Sequence, residues 1–416
     1  MKRYDEYKDS GVEWIGEVPR HWEVVRTRYL CNLCTGNKDT INRVDDGKFP
    51  FYVRSPKVER INTYSFDGEA ILMAGDGVGA GKVFHYANGK FDYHQRVYNF
   101  HNFKKVIGKF FYYYITNNFR YIIEEGGAKN TVDSVRLYMI QNFLITVPPK
   151  EEQREIVFYL DKKCSEIDNV ISAQQKRIAL LQELKQSVIT HAVTKGLNPN
   201  VEMKDSGVEW IGKIPASWDV VHLKRILREH MQYGANEPAE SDDTTYPRYI
   251  RITDITANGE LRPETFKSLE PSKAKDYLLD KGDVLFARSG ATVGKTFLFN
   301  ADIKACYAGY LIKASCDKRR MLQEYLYYYT QSGAYECWKN SVFIQSTIQN
   351  IGADKYQMMY IPVPSKDEQK QIVEYTMRKS QIFDAAISKA QHQVELLQEY
   401  KQSLITEVVT GNRKVS

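Results

Sequence analysis

The sequence has little cysteine: six residues in 416, at positions 31, 34, 164, 306, 316 and 337. So few and so scattered, they cannot staple a disulfide scaffold, and a reducing cytoplasmic setting is expected. The first ten residues, MKRYDEYKDS, are charged and lack the apolar stretch of a secretory signal. No run approaches the roughly 18 uninterrupted apolar residues of a membrane span, so no membrane partner is expected. Charge of one sign is also missing: 58 basic against 52 acidic side chains leave +6, too little by itself to diagnose nucleic-acid binding. What is present is ordinary for a globular protein, 43% hydrophobic and 26% charged, with length enough for two or three domains. Aromatics are plentiful, 29 Tyr and 18 Phe, and suit both cores and recognition surfaces.

The chain is written twice. Lys8–Val25 (KDSGVEWIGEVPRHWEVV) and Lys204–Val221 (KDSGVEWIGKIPASWDVV) agree at 13 of 18 positions. The segment 152–194 aligns without a gap to 368–410, most closely at Leu180-Leu181-Gln182-Glu183 and Leu396-Leu397-Gln398-Glu399. Between these ends the copies diverge, so similar frames enclose dissimilar contents. Two copies of one unit in one chain fit a pseudo-two-fold arrangement, with the alike parts as scaffold and the unlike parts doing two versions of one job.

The repeated tails read as long helices. Neither Gly nor Pro occurs from Glu151 to Val193 or from Ser365 to Thr410; Pro148-Pro149 and Pro364 precede them, and Gly196 and Gly411 follow. Ile167, Ile171, Ile178, Leu181 and Val188 recur at coiled-coil spacing, interrupted by Gln174. Phe383, Ile387, Ala390, Val394, Leu397 and Leu404 do the same in the second copy. Helices this long need a partner for their stripe, and the other copy's helix is the obvious one; each helix covering only its own domain is the plainer alternative. The stretches 26–147 and 222–363 look mixed α/β, with β-rich runs at Ala70–Met73 and Asp283–Phe286 and Tyr-rich helical runs near 110–116 and 322–330. Asn198-Pro199-Asn200 reads as a linker.

The order of variable segment, helix, variable segment, helix, together with GVEWIGEVPxxW at Gly11–Trp22, GVEWIGKIPxxW at Gly207–Trp218, and the runs VPPKEEQREIV (147–157) and VPSKDEQKQIV (363–373), closely resembles the specificity subunit of type I restriction-modification enzymes. The resemblance implies an α+β architecture: two mixed α/β target-recognition domains (1–150 and 197–366) separated by two long helices (151–196 and 367–416) forming an antiparallel coiled coil. It implies a non-catalytic subunit without a cofactor of its own. The expected partners are double-stranded DNA, two methyltransferase subunits that bind S-adenosylmethionine, and through them restriction subunits that use ATP and Mg. Two unlike readers imply a bipartite, asymmetric DNA target interrupted by unread bases.

Several residues are candidate DNA contacts. Gly294-Lys295-Thr296 invites a phosphate-loop reading, but Ser289 stands where that motif needs glycine, and Asp76 holds the corresponding place before Gly81-Lys82, where its charge would repel phosphates. An NTP site is therefore rejected. Lys82 and Lys295 remain as loop lysines that approach DNA or are merely solvated. Arg248-Tyr-Ile-Arg251-Ile-Thr-Asp254 resembles a strand of the family, with Arg54-Ser55-Pro56-Lys57 as a looser counterpart. An arginine there forks onto guanine, or Arg251 pairs with Asp254 as a structural bridge. Arg96 and Arg288 are candidates of the same kind. Gly126–Thr131, with Lys129 and Asn130, aligns to Val342–Thr347, with Gln345, Ser346 and Thr347; these side chains read base edges, bind phosphates, or cap turns.

Catalytic readings find little. Cys31-Asn-Leu-Cys34 is a lone pair without a second at metal-ligand spacing, so no metal is expected. No Asp/Asn-Pro-Pro-Tyr/Phe run and no Gly-rich methyl-donor loop occur. A nuclease or methyltransferase in its own right thus lacks its constellation. A purely structural coiled-coil adaptor leaves the divergence of the two large segments unexplained.

Overall fold

The computed structural model describes residues 3–125, 134–256, 259–344 and 350–415. The chain divides into two compact units: residues 1–175 with 392–416, and residues 176–391. Each contains one of the divergent segments and part of both long helices.

In the first unit the repeated frame forms a hairpin, β1 (Tyr7–Asp9) with β2 (Glu17–Pro19). It continues into β3 (Glu23–Arg26). The frame's Trp22 is fully buried, its indole N–H donating to Glu152 at 3.2 Å. The divergent segment supplies β4 (Asn32–Thr35), β5 (Phe49–Tyr52), β6 (Glu59–Ile61), β7 (Phe66–Ala74), β8 (Phe84–Tyr93) and β9 (Val97–His101). They make one sheet in the order β4-β9-β7-β8-β5-β6, antiparallel except where β5 runs parallel to β8. The centre of β7, Ala70-Ile71-Leu72-Met73, is buried on both faces, which accounts for its unbroken apolar run. Helix α1 (Gly108–Asn118) packs over β7, followed by α2 (Arg120–Glu125), α3 (Leu137–Asn142) and β10 (Leu144–Val147), which pairs with β3.

Helix α4 then runs without interruption from Lys150 to Lys195. Glu151 and Glu152 in its first turn suit the positive end of the helix dipole, and Gly196 ends it in the left-handed region at φ +77°.

The second unit repeats the plan. β11 (Met203–Asp205) pairs with β12 (Lys213–Pro215), followed by β13 (Asp219–His222), and Trp218 is buried as Trp22 is. The remaining strands are β14 (Gln232–Tyr233), β15 (Arg248–Ile250), β16 (Val284–Ala287), β17 (Thr296–Leu298), β18 (Ala305–Tyr307) and β19 (Leu311–Ala314). The sheet order is β14-β19-β16-β17, with β15 parallel to β18. This follows the strand order of the first unit with two changes: the counterpart of β8 is broken into β17 and β18 by residues 299–304, and β6 has no counterpart strand among the described residues. A short helix α5 (Pro271–Ala274) lies in the longer connection. Helices α6 (Gln323–Tyr329), α7 (Gly333–Ile344) and α8 (Ala353–Gln357) lead to β20 (Tyr360–Val363), which pairs with β13, and to α9 (Lys366–Val409).

Within each unit the two long helices run antiparallel. In the first, Ile156, Leu160, Cys164, Ile167 and Ile171 of α4 share a core with Leu404, Ile405, Val408 and Val409 of α9, and Lys401 bridges Asp168 at 2.7 Å. In the second, Ile189, Ala192 and Val193 of α4 share a core with Ile372 of α9, and Lys185 bridges Asp384 at 2.7 Å. The counterpart of Asp168 in the gap-free alignment is Asp384, and that of Lys185 is Lys401, so the two bridges are one contact written twice. Of the expected stripe residues, Ile167, Ile171 and Leu404 belong to the first unit's core, with Val394 and Leu397 packed against it; Ile387 is buried, and Ile178, Leu181, Val188 and Phe383 are half-buried. The helices are thus built into the compact units.

Candidate nucleic-acid interface

A buried glutamine joins each long helix to its sheet domain. Gln153, without solvent exposure, accepts from the Ile107 N–H at 2.7 Å and donates to the carbonyls of Lys105 at 2.9 Å and Pro148 at 2.8 Å. Gln369 repeats this, accepting from Leu322 N–H at 2.8 Å and donating to Arg320 and Pro364 carbonyls, each at 3.0 Å. A side-chain amide alone among uncharged groups offers both an acceptor and two donors at one place. Sequence reasoning passed over both, although the identical Gln in EEQ and DEQ at the start of each helix was the available signal.

At one rim of the first unit's sheet three segments meet: the exit of β5, the glycine-rich loop Gly75–Lys82, and the turn between β8 and β9. The loop's first N–H, that of Gly75, donates to the Arg96 carbonyl at 2.8 Å. Arg54 reaches Asp76 at 2.9 Å, and Arg96 reaches the other oxygen of Asp76 at 3.6 Å. Behind them His94 is buried, its Nδ1 accepting from the Arg96 N–H at 2.9 Å. Burial, then the nearby Arg54 charge, lower the His94 pKa. Lys57 is exposed and lies 3.4 Å from Glu59, and Lys82 is exposed at the end of the loop.

The second unit builds the same rim from other residues. The Arg288 N–H donates to the Tyr310 carbonyl at 3.0 Å, so Tyr310 occupies the place of Arg96. The Arg288 guanidinium lies 4.8 Å from the centre of the Tyr233 ring, whose hydroxyl accepts from the Ala353 N–H at 3.0 Å. Lys295, like Lys82, is exposed just after its glycine. The first described residues beyond the two late loops pair alike with this rim, Ser134 with Asp76 and Asn350 with Ser289. Lys129, Asn130, Gln345, Ser346 and Thr347 lie outside the described residues.

Arg251 takes the bridging alternative. Its Nε and Nη2 donate to Asp254 at 3.1 and 2.7 Å and Nη2 also to the Thr265 carbonyl at 2.9 Å, while Asp254 is 1% exposed and accepts from the Arg251 backbone N–H at 2.7 Å. Arg248 donates to the Arg262 carbonyl and lies 5.7 Å from the Phe266 ring centre. Strand pairing sets Val53 in the place of Arg251: Tyr52 stands against Tyr93 as Ile250 stands against Tyr307. Arg54 is therefore one residue past its presumed counterpart. A cavity of about 340 Å³ opens beside the second rim, lined by Asn236, Tyr249, Arg251, Thr253 and Tyr310 among others.

No group of three or more His, Cys, Asp or Glu side chains able to hold a metal occurs among the described residues. Cys31 is buried, which raises its thiol pKa to about 12, whereas Cys34 is exposed and lies 3.2 Å from the Tyr93 hydroxyl. Among the described residues no helix is long and apolar enough to cross a membrane.

The doubled frame and its two differently furnished rims define a class. The family model described as type I restriction modification DNA specificity domain matches residues 19–180 and again 215–395, and the chain belongs to that family. Among individual relatives, it is 21% identical over 413 residues to the type I restriction enzyme EcoDI specificity subunit of Escherichia coli, covering 95% of this chain and 89% of that one. It is 22% identical over 417 residues to the MjaVIII specificity subunit of Methanocaldococcus jannaschii, covering 96% and 94%. The fold matches a chain in a solved structure of a type I R-M system with a TM-score of 0.68 at 17% identity, over 94% of this chain and 98% of the other.

Proposed function

We propose that this chain is the non-catalytic DNA sequence-recognition subunit of a type I restriction-modification system. Each divergent domain, 1–150 and 197–366, reads one half of a bipartite, asymmetric target. The helical segments 151–196 and 367–416 set the gap between the halves and recruit two methyltransferase subunits, and through these the restriction subunits. S-adenosylmethionine, ATP and Mg are used by those partners. The observation that carries this reading is one rim built twice on a common strand order, with Arg54, Asp76 and Arg96 on one copy and Arg288, Tyr233 and Tyr310 on the other. Common backbone with unlike side chains is what two half-sites of different sequence require, since base edges are told apart by side-chain donors, acceptors and apolar contacts.

The surface arginines and lysines named above are the proposed contacts: Arg54, Lys57, Lys82, Arg96, Arg248, Arg288 and Lys295, with Lys129, Asn130, Gln345, Ser346 and Thr347 on the late loops. Arg251 supports its neighbours through Asp254. The test is binding by the chain assembled with its methyltransferase subunits. Affinity falls steeply with salt, and adding or removing one base pair in the gap abolishes the specific component. Exchange of residues 26–147 for those of a relative changes one half-site and leaves the other. Unchanged affinity after the gap insertion, or a swap that alters both half-sites, overturns the reading.

A further inference from the structure

Asp76 stands where an acidic group is unfavourable on a DNA-binding face. Its cost there is electrostatic: a fixed negative charge repels the phosphates that supply most non-specific affinity. Yet the backbone around it is built to hold it in place. A side chain at Gly75 would put its Cβ 2.9 Å from the Arg96 carbonyl oxygen and 2.8 Å from the Tyr98 ring. One at Gly79 would put it 2.6 Å from the Arg54 carbonyl oxygen. The loop therefore passes directly over the backbones of both arginines, a closeness only glycine permits. Gly77 and Gly81, at φ +72° and +63°, turn the chain on either side of Val78, which is 92% exposed at the tip.

The carboxylate meets one nitrogen of each guanidinium, Nη1 of Arg54 and Nε of Arg96. The arginine side chains stay 45% and 66% exposed, while that of Asp76 is 22% exposed. A guanidinium has five N–H donors in a rigid fork, so a carboxylate that takes one of them, as Asp76 takes Nη1 of Arg54, fixes the plane and leaves other donors for a ligand, while Arg96 at 3.6 Å is held by charge attraction. For a phosphate ligand this arrangement is counterproductive, because the third charge cancels half of the attraction. For a guanine edge it is not: O6 and N7 are neutral acceptors, and the demand is orientation of the fork. The second unit supports the contrast. It has Ser289 at the place of Asp76, holds Arg288 by stacking on Tyr233, and presents Tyr310, 66% exposed, where the first presents Arg96.

We propose that Asp76 is a positioning residue that holds Arg54 and Arg96 as a braced pair of guanidinium forks reading guanine in the first domain's half-site. The inference rests on the DNA-reading function proposed above. Its test uses the whole chain assembled with methyltransferase subunits and duplexes carrying the methylation-mapped target, with each base of both half-sites varied and 7-deazaguanine replacing guanine in turn. Asp76→Asn keeps the shape and removes the charge. Non-target binding rises a few-fold, while preference for guanine at one or two positions of the first half-site falls about tenfold. The second half-site is unaffected, and 7-deazaguanine at those positions costs the wild type more than the variant. Arg96→Lys, which keeps the charge and loses the fork, gives the same loss of preference with non-target binding unchanged. A parallel rise for target and non-target DNA, preference lost equally in both half-sites, or preference left intact overturns the inference alone. A wild-type complex without sequence preference overturns the underlying reading and the inference with it.

Discussion

Replacing Gln153 by leucine tests the joint between α4 and its sheet domain. The change keeps side-chain bulk and leaves three backbone groups unpaired: the buried carbonyl of Pro148 and the part-buried N–H of Ile107 and carbonyl of Lys105. Each orphaned group costs about 1–3 kcal/mol, and the added apolar burial returns about 1–2. With the buried Pro148 carbonyl spanning that range and the two part-buried groups at about 1 kcal/mol each, the net expectation is a loss of about 1–4 kcal/mol in the first unit. Lys105 adds to it, because it sits at φ +55°, a conformation an L-residue holds only when its surroundings fix it. Gln153→Glu is worse near neutral pH, since a carboxylate then faces two carbonyl oxygens, and it partly recovers on acidification when the acid regains a donor. Gln369→Leu produces a matching loss in the second unit, and the two effects add to within about 0.5 kcal/mol because they share no partner. Denaturant unfolding followed by circular dichroism and by the fluorescence of the buried Trp22 and Trp218 reads both. A loss below about 1 kcal/mol, or glutamate tolerated better than leucine at neutral pH, refutes the reasoning.

Lys401→Glu places like charges at the contact with Asp168 and weakens the first unit's helix pair by roughly 1 kcal/mol. Adding Asp168→Lys restores the midpoint, as a double-mutant cycle in denaturant shows. Asp254→Ala strips Arg251 of its buried partner and lowers second-unit stability by roughly 3 kcal/mol, seen as a shifted unfolding midpoint with the first unit unaffected. His94 is held neutral, with its folded pKa below the 6.5 of a free histidine. The unfolded chain therefore binds the proton more readily, so stability is present at neutral pH and falls as pH drops through about 6.5. His94→Gln flattens that fall in a pH series of unfolding midpoints.

The scaffold was legible because its signals are local or repeated. Proline before and glycine after an unbroken run define α4 and α9, and the apolar runs at Ala70 and Val284 are the central strands β7 and β16. Ile167, Ile171 and Leu404 share the first unit's core for the same reason: helical spacing fixes which residues share a face. Less could be read of the rims. The brace at Asp76 joins residues 22 and 20 positions away, Arg54 and Arg96, and depends on a strand order that spacing does not encode. The argument against a phosphate loop there rested on the charge of Asp76; what it could not disclose was the pair of arginines absorbing that charge. Arg251 was left between two roles, and the bridge to the buried Asp254, invisible in a one-dimensional pattern, is formed. The break of one long strand into β17 and β18 likewise follows from an insertion whose path the sequence does not mark.

The doubled ion pair on the long helices carries one more implication. Asp168 and Lys185 lie on the same helix, and each meets the copy of the other. A chain of half the length, holding a single frame, would thus carry a self-complementary seam: its Asp would face its twin's Lys, and the reverse. Two such chains could close into a symmetric pair presenting identical readers to a palindrome. Held in one chain, each reader can change by itself while the paired charges on the two helices stay matched.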